Sequence, residues 1–509
     1  MDFFIQHSII LVVLVPLLAA PLAMLFVRSD VAFWISWTAS VLSLLSAGHL
    51  VSQVLDGSVL SYHLGGWVPP LGIEYRVDAA NALVLLIISF MATITLPYAR
   101  KTIEQDVEPQ HHTLFYACLM LCITGLLGVT ATGDAFNVFV FLEISSLSTY
   151  VLVALGAKRD QRALSASYNY LILGTIGATF FVIGLGLLYM TTGTLNMADM
   201  ASRLTELEGN RTVRSAFAFI VVGLGLKLAI YPLHRWLPGA YAYAPSAVSA
   251  FLAATATKVA LYVLLRFMFS VYSAKFGFEK DSLELIILPF AVIAMFIGSL
   301  IAIYQVNVKR LLAYSSIAQI GYMLLGLSLL TVTGVSATMV HMFNHAVTKG
   351  ALFMAVGALI YQVGATKIPY YGGLAKMMPW TCAAIVLGGL SLIGVPGTVG
   401  FVSKWVLLEA ALEKGWWFVA VLIVLSSLLA IIYVWRLVET LYLQPAVIEE
   451  PVTEAPLALL VPTWILIATS IWFGIDADLT VTLSEVAANS LLSGGFSENP
   501  ATIVGSEGR

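Results

Sequence analysis

Of the chain's 509 residues, 60% are apolar and only 10% are charged, with a net charge of −3. A soluble domain is about a quarter charged, so a chain with mean hydropathy +0.94 cannot cover a water-facing surface. The near-neutral charge balance offers no basic patch for nucleic acid.

Long apolar runs recur along the whole chain, and the short alternating segments of a membrane barrel are missing. The first run, Ile5 to Val27, has no basic leader and reads as a span rather than a cleavable signal. Windows of roughly 20 residues predict about fourteen transmembrane helices. They fall at 5–27, 31–53, 77–97, 112–131, 135–155, 164–190, 214–236, 245–270, 284–305, 310–332, 335–362, 380–412, 416–443 and 456–475. The fold class is all-α integral membrane. The tail after Asp476 is polar and holds Gly and Ser, and is expected to be a surface segment or partly disordered. Cys118, Cys122 and Cys382 all fall inside apolar helices and read as small core residues rather than a disulfide.

Loop charge sets an expected orientation. Arg28, Arg100, Lys101, Lys158, Arg159, Arg162, Lys309, Arg310, Lys367 and Lys376 follow odd-numbered helices. Loops after even-numbered helices hold Asp56, Glu74, Asp134, Glu206 and Glu208. Basic loops stay cytoplasmic, which puts both termini outside; the acidic stretch Glu449, Glu450 and Glu454 after helix 13 weighs little against this.

Two spans are interrupted. Helix 7 carries Lys227, Pro232, His234, Pro238 and Gly239, and helix 12 carries Gly394, Pro396, Gly397, Gly400 and Lys404. Proline removes a backbone donor and glycine loosens the helix. Open backbone at membrane depth is tolerated only against protein or a wet cavity. Two such breaks five helices apart, each beside a lysine, suggest inverted repeats. The expected division is 1–111 for the first three helices, 112–270 for the first repeat (helices 4–8), 284–443 for the second (helices 9–13), and 444–509 for helix 14 and the tail. Ordinary proline kinks are the plain alternative.

Ionisable residues sit mid-span, where each costs roughly 2.5–3.5 kcal/mol to insert. Glu143 lies between Leu142 and Ile144, Lys227 lies before the first break, Lys258 is central in helix 8, and Lys404 follows the second break. On helix 11, His341, His345 and Lys349 are spaced i, i+4, i+8 and share a face. Two histidines so spaced could chelate a metal, but no carboxylate or cysteine nearby completes a site. A hydrated proton relay suits imidazole better. Any one of these groups could be a packing pair or a snorkelling lysine. Together they call for a shared wet interior. Moving a carboxylate towards or away from a desolvated lysine would switch it between holding and releasing a proton, and Glu143 is the expected partner of Lys227. Asp78 and Asp134 look isolated near span ends and make no sodium cage. There is no nucleotide loop, metal cluster or nucleophile–base pair, so no cofactor and no covalent chemistry are expected.

Several stretches resemble the proton-conducting antiporter-like family. They are Phe141-Leu142-Glu143, Lys227-x4-Pro232-Leu233-His234-x-Trp236-Leu237-Pro238, Lys309 through Tyr314 and Gln319 to Gly321-Tyr322, His345-x3-Lys349-x2-Leu352-Phe353, and Pro396-x3-Gly400-Phe401-x2-Lys404. The likeness runs from about residue 75 to 440 in the family's order. The family takes in Mrp-type sodium/proton antiporter subunits, antiporter-like subunits of respiratory complex I and membrane-bound hydrogenase relatives. Within it the chain is most similar to the D-type subunit of Mrp antiporters, since Lys404 stands where one complex I subunit has an acid.

The resemblance implies a transporter subunit of a prokaryotic cell membrane, with partner subunits, protons and sodium as its company. A translocase classification would follow in a redox complex. It also implies roles: Glu143 with Lys227 as the switching pair, Lys258 as the group collecting protons from the cytoplasmic side, and His341, His345 and Lys349 as a bridge to Lys404 facing outward. His234, Lys309, Pro232 and Pro396 would support them. A redox-driven pump subunit shares all these charges and stays open as an alternative; a free-standing solute transporter would not need the lysine series.

Overall fold

The structure is a computed structural model that describes residues 2–26, 28–207, 209–272, 281–448, 452–494, 496 and 501–503, with the backbone alone at 2–6 and 501–503. Val27, Glu208, Glu449 and Glu450 lie outside the described residues. The chain opens with helices α1 (Asp2–Leu25) and α2 (Ser29–Val54), then a hairpin of β1 (Leu60–His63) and β2 (Glu74–Val77). Next come α3 (Ala79–Asp106), α4 (His112–Ala131), α5 (Ala135–Ala154), α6 (Arg162–Thr192) and a short α7 (Met197–Leu204). The middle holds α8 (Arg211–Leu228), α9 (Leu237–Tyr243), α10 (Ser246–Ala254), α11 (Ala256–Leu265), α12 (Leu288–Ile303), α13 (Val308–Ser328) and α14 (Val332–Val363). After these come α15 (Pro379–Ile393), α16 (Val399–Glu413), α17 (Trp417–Tyr442), α18 (Leu457–Ile475), α19 (Asp478–Leu492) and β3 (Ala501–Ile503).

Among the described residues, twelve helices are long and apolar enough to cross a membrane, or thirteen if one bent pair is joined. The two expected spans missing from the twelve are those read as broken. One is α8 with α9, parted where Ala229 turns left-handed (φ 61) ahead of Pro232. The other is α15 with α16, parted where Gly394 (φ 94) caps α15. Glycine takes that conformation without strain; alanine does not, so Ala229 is held there by its surroundings.

Expectation and structure part company in three places. Helix 8 is not continuous: it breaks at Thr255 into α10 and α11 and ends in a π-turn, Arg266–Val271. The loop before α3 forms a sheet in the order β2-β1-β3, with β1 antiparallel to β2 and parallel to β3. The tail is not simply a surface segment: α19 buries Leu483, Ala487 and Leu491 and packs on α14 and α3.

Helix starts follow side-chain caps that satisfy orphan N–H groups. Asp78 accepts from Ala80 N and Asn81 N in a capping box at α3, and Asp134 accepts from Asn137 N at α5. Asn196, Asn210, Asn307 and Thr331 do the same at α7, α8, α13 and α14.

Burial separates centre from rim. The best 18-residue window is 94% buried for 246–271 and for α13, and 83% for α14, against 39% for α6, α17 and α18. With α4 (89%), the helices that carry Lys258, Lys309 and the histidine–lysine row are thus the most enclosed. Helix α14 touches α3, α10, α13, α15, α16, α18 and α19 and is the hub of the bundle.

The basic loops gather at one end. There Lys158 donates to the carbonyls of Glu104 and Val107, and Arg159 bonds Asp106 and Ile360 O. At the other end lie the sheet, Glu74 with Asn196, and Asp78 with Arg266. His7 of α1 meets Tyr62 of β1, and β3 pairs with β1, so both chain ends share this second end.

Candidate functional site

Lys227 is in the last turn of α8 and 8% exposed. Its Nζ lies 3.1 Å from Glu143 Oε1 and 2.7 Å from Ser146 Oγ, both on α5. A lone ammonium in this setting would be costly. A carboxylate, a hydroxyl and the negative end of α8 compensate it together.

The other buried lysines have no carboxylate at ion-pair distance among the described residues, and bond mainly to backbone carbonyls. Lys258 is fully buried in the first turn of α11, just past the break at Thr255, and donates to Ala253 O in the last turn of α10. Lys404 on α16 reaches back across the second break to Leu392 O (3.0 Å) and Ile393 O (2.8 Å), the terminal carbonyls of α15. Lys309 donates to Ala244 O (3.0 Å), just past α9, and to Ser249 Oγ (3.3 Å). Helix C-termini leave carbonyls without intrahelical partners and carry about half a negative charge. Each interruption of a helix therefore creates a place where an ammonium is tolerated. Lys349 rests on Leu312 O (2.9 Å) and Ser315 Oγ (2.5 Å) of α13.

On α14 the rings of His341 and His345 stack in parallel, 6.1 Å apart and 6° from coplanar. His341 Nδ1 is 2.8 Å from Ser403 Oγ, one residue before Lys404. His341 Nε2, both ring nitrogens of His345 and Asn344 Oδ1 are buried without a protein partner. With Gln319, Thr348 and Ser391, these residues line a cavity of about 10 Å³. Orphan polar atoms beside a void of that size leave room for one buried water at most. Lys404 Nζ also lies 5.0 Å from the centre of the Tyr322 ring, and Tyr322 faces His341 at 5.9 Å. Lys258 interacts electrostatically with His341, His345 and Lys349.

The structure thus groups Lys258, His341, His345, Lys349 and Lys404 around α14, and groups Glu143 with Lys227. Among the described residues no bond joins the two groups. His234 lies on the first break, stacked on Tyr231 (5.2 Å) and facing Tyr314 of α13 (6.5 Å). Pro232 and Pro396 stand in the two break loops, both on the exposed surface of the chain. No three His, Cys, Asp or Glu side chains converge as metal ligands among the described residues.

Sequence reasoning missed Ser146, Ser403 and Asn344, whose Nδ2 donates 2.5 Å to Val399 O at the start of α16. Asn344, polar and next to His345 on α14, was the available signal. The reading of Asp78 as isolated is corrected: it pairs with Arg266 at 2.7 Å, both buried. Asp134 serves as the cap of α5. Asp106, unremarked in the sequence, bonds Arg159 (2.8 Å) and accepts from Ser246 N (2.8 Å) at the start of α10.

Fold and site together define a multi-pass helical membrane protein with an ionisable, carbonyl-lined interior. Residues 132–430 match the family model described as NADH:quinone oxidoreductase/Mrp antiporter, TM, and the chain belongs to that family. Among its relatives, the N-type subunit of NADH-quinone oxidoreductase from Desulforudis audaxviator is 42% identical over 477 residues, covering 90% of this chain and 94% of that protein. The D-type subunit of the Na(+)/H(+) antiporter from Bacillus subtilis is 29% identical, covering 96% and 98%. A chain of the Mrp complex from Dietzia sp. DQ12-45-1b superposes with TM-score 0.88 at 26% identity, covering 97% and 98%. A chain of the archaeal membrane-bound sulfane sulfur reductase superposes with TM-score 0.89 at 31% identity, covering 96% and 98%. Both solved neighbours are chains of membrane complexes.

Proposed function

We propose that this chain is the proton-translocating subunit of a multisubunit monovalent cation/proton antiporter of the prokaryotic cell membrane, with both termini on the outer side. The observation that carries the reading is the series of buried lysines, each seated at a helix interruption or on a neighbouring helix, with the paired histidines between Lys258 and Lys404. Glu143 and Lys227 form the switching pair. Lys258 receives protons from the basic, cytoplasmic end, and His341, His345 and Lys349 carry them to Lys404. The two breaks, with His234, Pro232 and Pro396, are the flexible points of two inverted repeats spanning 112–270 and 284–443.

Likeness to the D-type antiporter subunit supports sodium as the counter-ion. The 42% identity to a quinone oxidoreductase subunit favours a second reading, in which the same relay is driven by redox chemistry in partner subunits. The test uses sealed vesicles containing the whole native complex. A sodium gradient imposed without electron donor is expected to drive protons the opposite way. Proton movement only on adding an electron donor would select the second reading, and none under either condition would overturn both.

A further inference from the structure

At the basic end a cavity of about 250 Å³ opens between the α9–α10 junction, the start of α13 and the end of α14. Its wall includes Ala244, Asn307 and Thr366, and its rim carries Asp160, Lys367 and Tyr370. Lys309 lines it while only 3% exposed, held by Ala244 O and Ser249 Oγ. It is therefore a buried ammonium beside space that solvent can enter.

Arg159 of the wall is neutralised by Asp106 and Asp160 of the rim by Arg162, while Lys367 adds a further positive charge at the rim. Inward from Lys309, hydroxyls continue towards the centre. Ser249 Oγ donates to Tyr241 O (2.8 Å), and Tyr241 OH donates to Leu252 O (3.1 Å) and interacts with Thr257, the neighbour of Lys258. Leu252 directly precedes Ala253, whose carbonyl holds Lys258.

We infer that this cavity is the proton-uptake vestibule of the chain, and that Lys309 takes protons from it and passes them towards Lys258. In that step an N–H bond of the Lys309 ammonium breaks and one forms on the neutral Lys258 amine, with the Ser249 and Tyr241 hydroxyls lining the way. The inference rests on the proton-conduction reading and adds to it an entry site and a named uptake group. A lysine that only capped Ala244 O would do equally well as arginine, which also donates to carbonyls. Arginine, however, does not give up its proton in proteins.

The test measures exchange in vesicles containing the whole complex. Lys309→Arg is expected to assemble, yet to lose at least tenfold in exchange per assembled complex. Independently, Tyr370→Cys, at the 46% exposed rim position, is treated with a bulky membrane-impermeant thiol reagent; the three native cysteines are buried. Labelling from the basic face should slow exchange severalfold, and the same reagent on the opposite face should do nothing. Unaltered exchange in either experiment overturns the inference. Lys227→Ala in the same vesicles separates the two levels. If it abolishes exchange while Lys309→Arg does not, conduction stands and the vestibule falls. If it too leaves exchange intact, the underlying reading has failed.

Discussion

Replacing Gly400 by alanine should disable the second half of the relay without touching a charged residue. The half-helices α15 and α16 cross at this glycine so closely that a Cβ would lie 1.7 Å from Ser391 O, half the 3.4 Å at which ordinary contact begins. The obstacle is backbone, so no side chain can swing away. The two segments would have to separate by roughly 1.5 Å in a close-packed interior. Lys404 is one turn further on, and its bonds of 3.0 and 2.8 Å to Leu392 O and Ile393 O would then exceed hydrogen-bonding range. Overpacking costs about 1–3 kcal/mol, and each hydrogen bond to a charged group is worth about 1.5–3 kcal/mol. Together these give a stability loss of roughly 4–9 kcal/mol, and the two lost bonds alone, about 3–6 kcal/mol, correspond to a fall in exchange of at least about a hundredfold at 1.4 kcal/mol per factor of ten. The assay compares pH-dye exchange and thermal unfolding of Gly400→Ala complexes with those of Gly186→Ala, where a Cβ meets open space. Exchange near wild type in assembled Gly400→Ala complexes would refute the claim that this crossing seats Lys404.

Glu143→Gln should reduce exchange at least a hundredfold in assembled complexes. At 3.1 Å and an effective dielectric near 20, the lost attraction is roughly 5 kcal/mol, and only neutral partners, the new amide and Ser146, remain beside the ammonium. Asp78→Asn strands Arg266 in a buried site and should destabilise the complex by about 3–5 kcal/mol, read as a lower unfolding temperature with little change in exchange per assembled complex. Burial pushes the Asp78 carboxyl up, but Arg266 and the Asn81 backbone hold it below its ordinary value. This contribution should therefore be complete above about pH 4 and vanish only as the pH falls through the lowered value; constant stability down to pH 2 would argue against it. Deleting the chain after Ala477 uncovers the face of α14 and α3 that Leu483 and Leu491 now bury. At about 1.5–3 kcal/mol per leucine, thermal unfolding should shift down clearly.

The spans were readable because membrane solvent demands a long apolar run for each, and the two main breaks because proline and glycine announce them. Glu143 and Lys227 stood out for the same reason, as charges where charge is expensive. The break at Thr255 carries neither proline nor glycine; it lies in an Ala-Thr repeat that would form an ordinary helix, and only packing around Lys258 displays it. Asp78 and Arg266 are 188 residues apart, so their pairing depends on how α3 and α11 dock, which no local pattern encodes. The tail misled because α19 mixes polar and apolar residues in a stretch too short to read as a span. Its four buried apolar positions, Leu483, Ala487, Ala488 and Leu491, make sense only against α14 and α3. Lys309 reads from the sequence as a basic loop residue and, by resemblance, as a supporting one; its burial under the junction of α9 and α10 depends on packing that no local pattern encodes.

Proton flux through Lys227→Ala complexes tests the central claim most directly. Sealed vesicles containing the whole assembled complex are energised, and the internal pH is followed with a trapped dye. If protons travel along the buried series, flux should vanish while assembly, judged by co-purifying subunits, is retained. Flux at the wild-type rate through assembled Lys227→Ala complexes would contradict it.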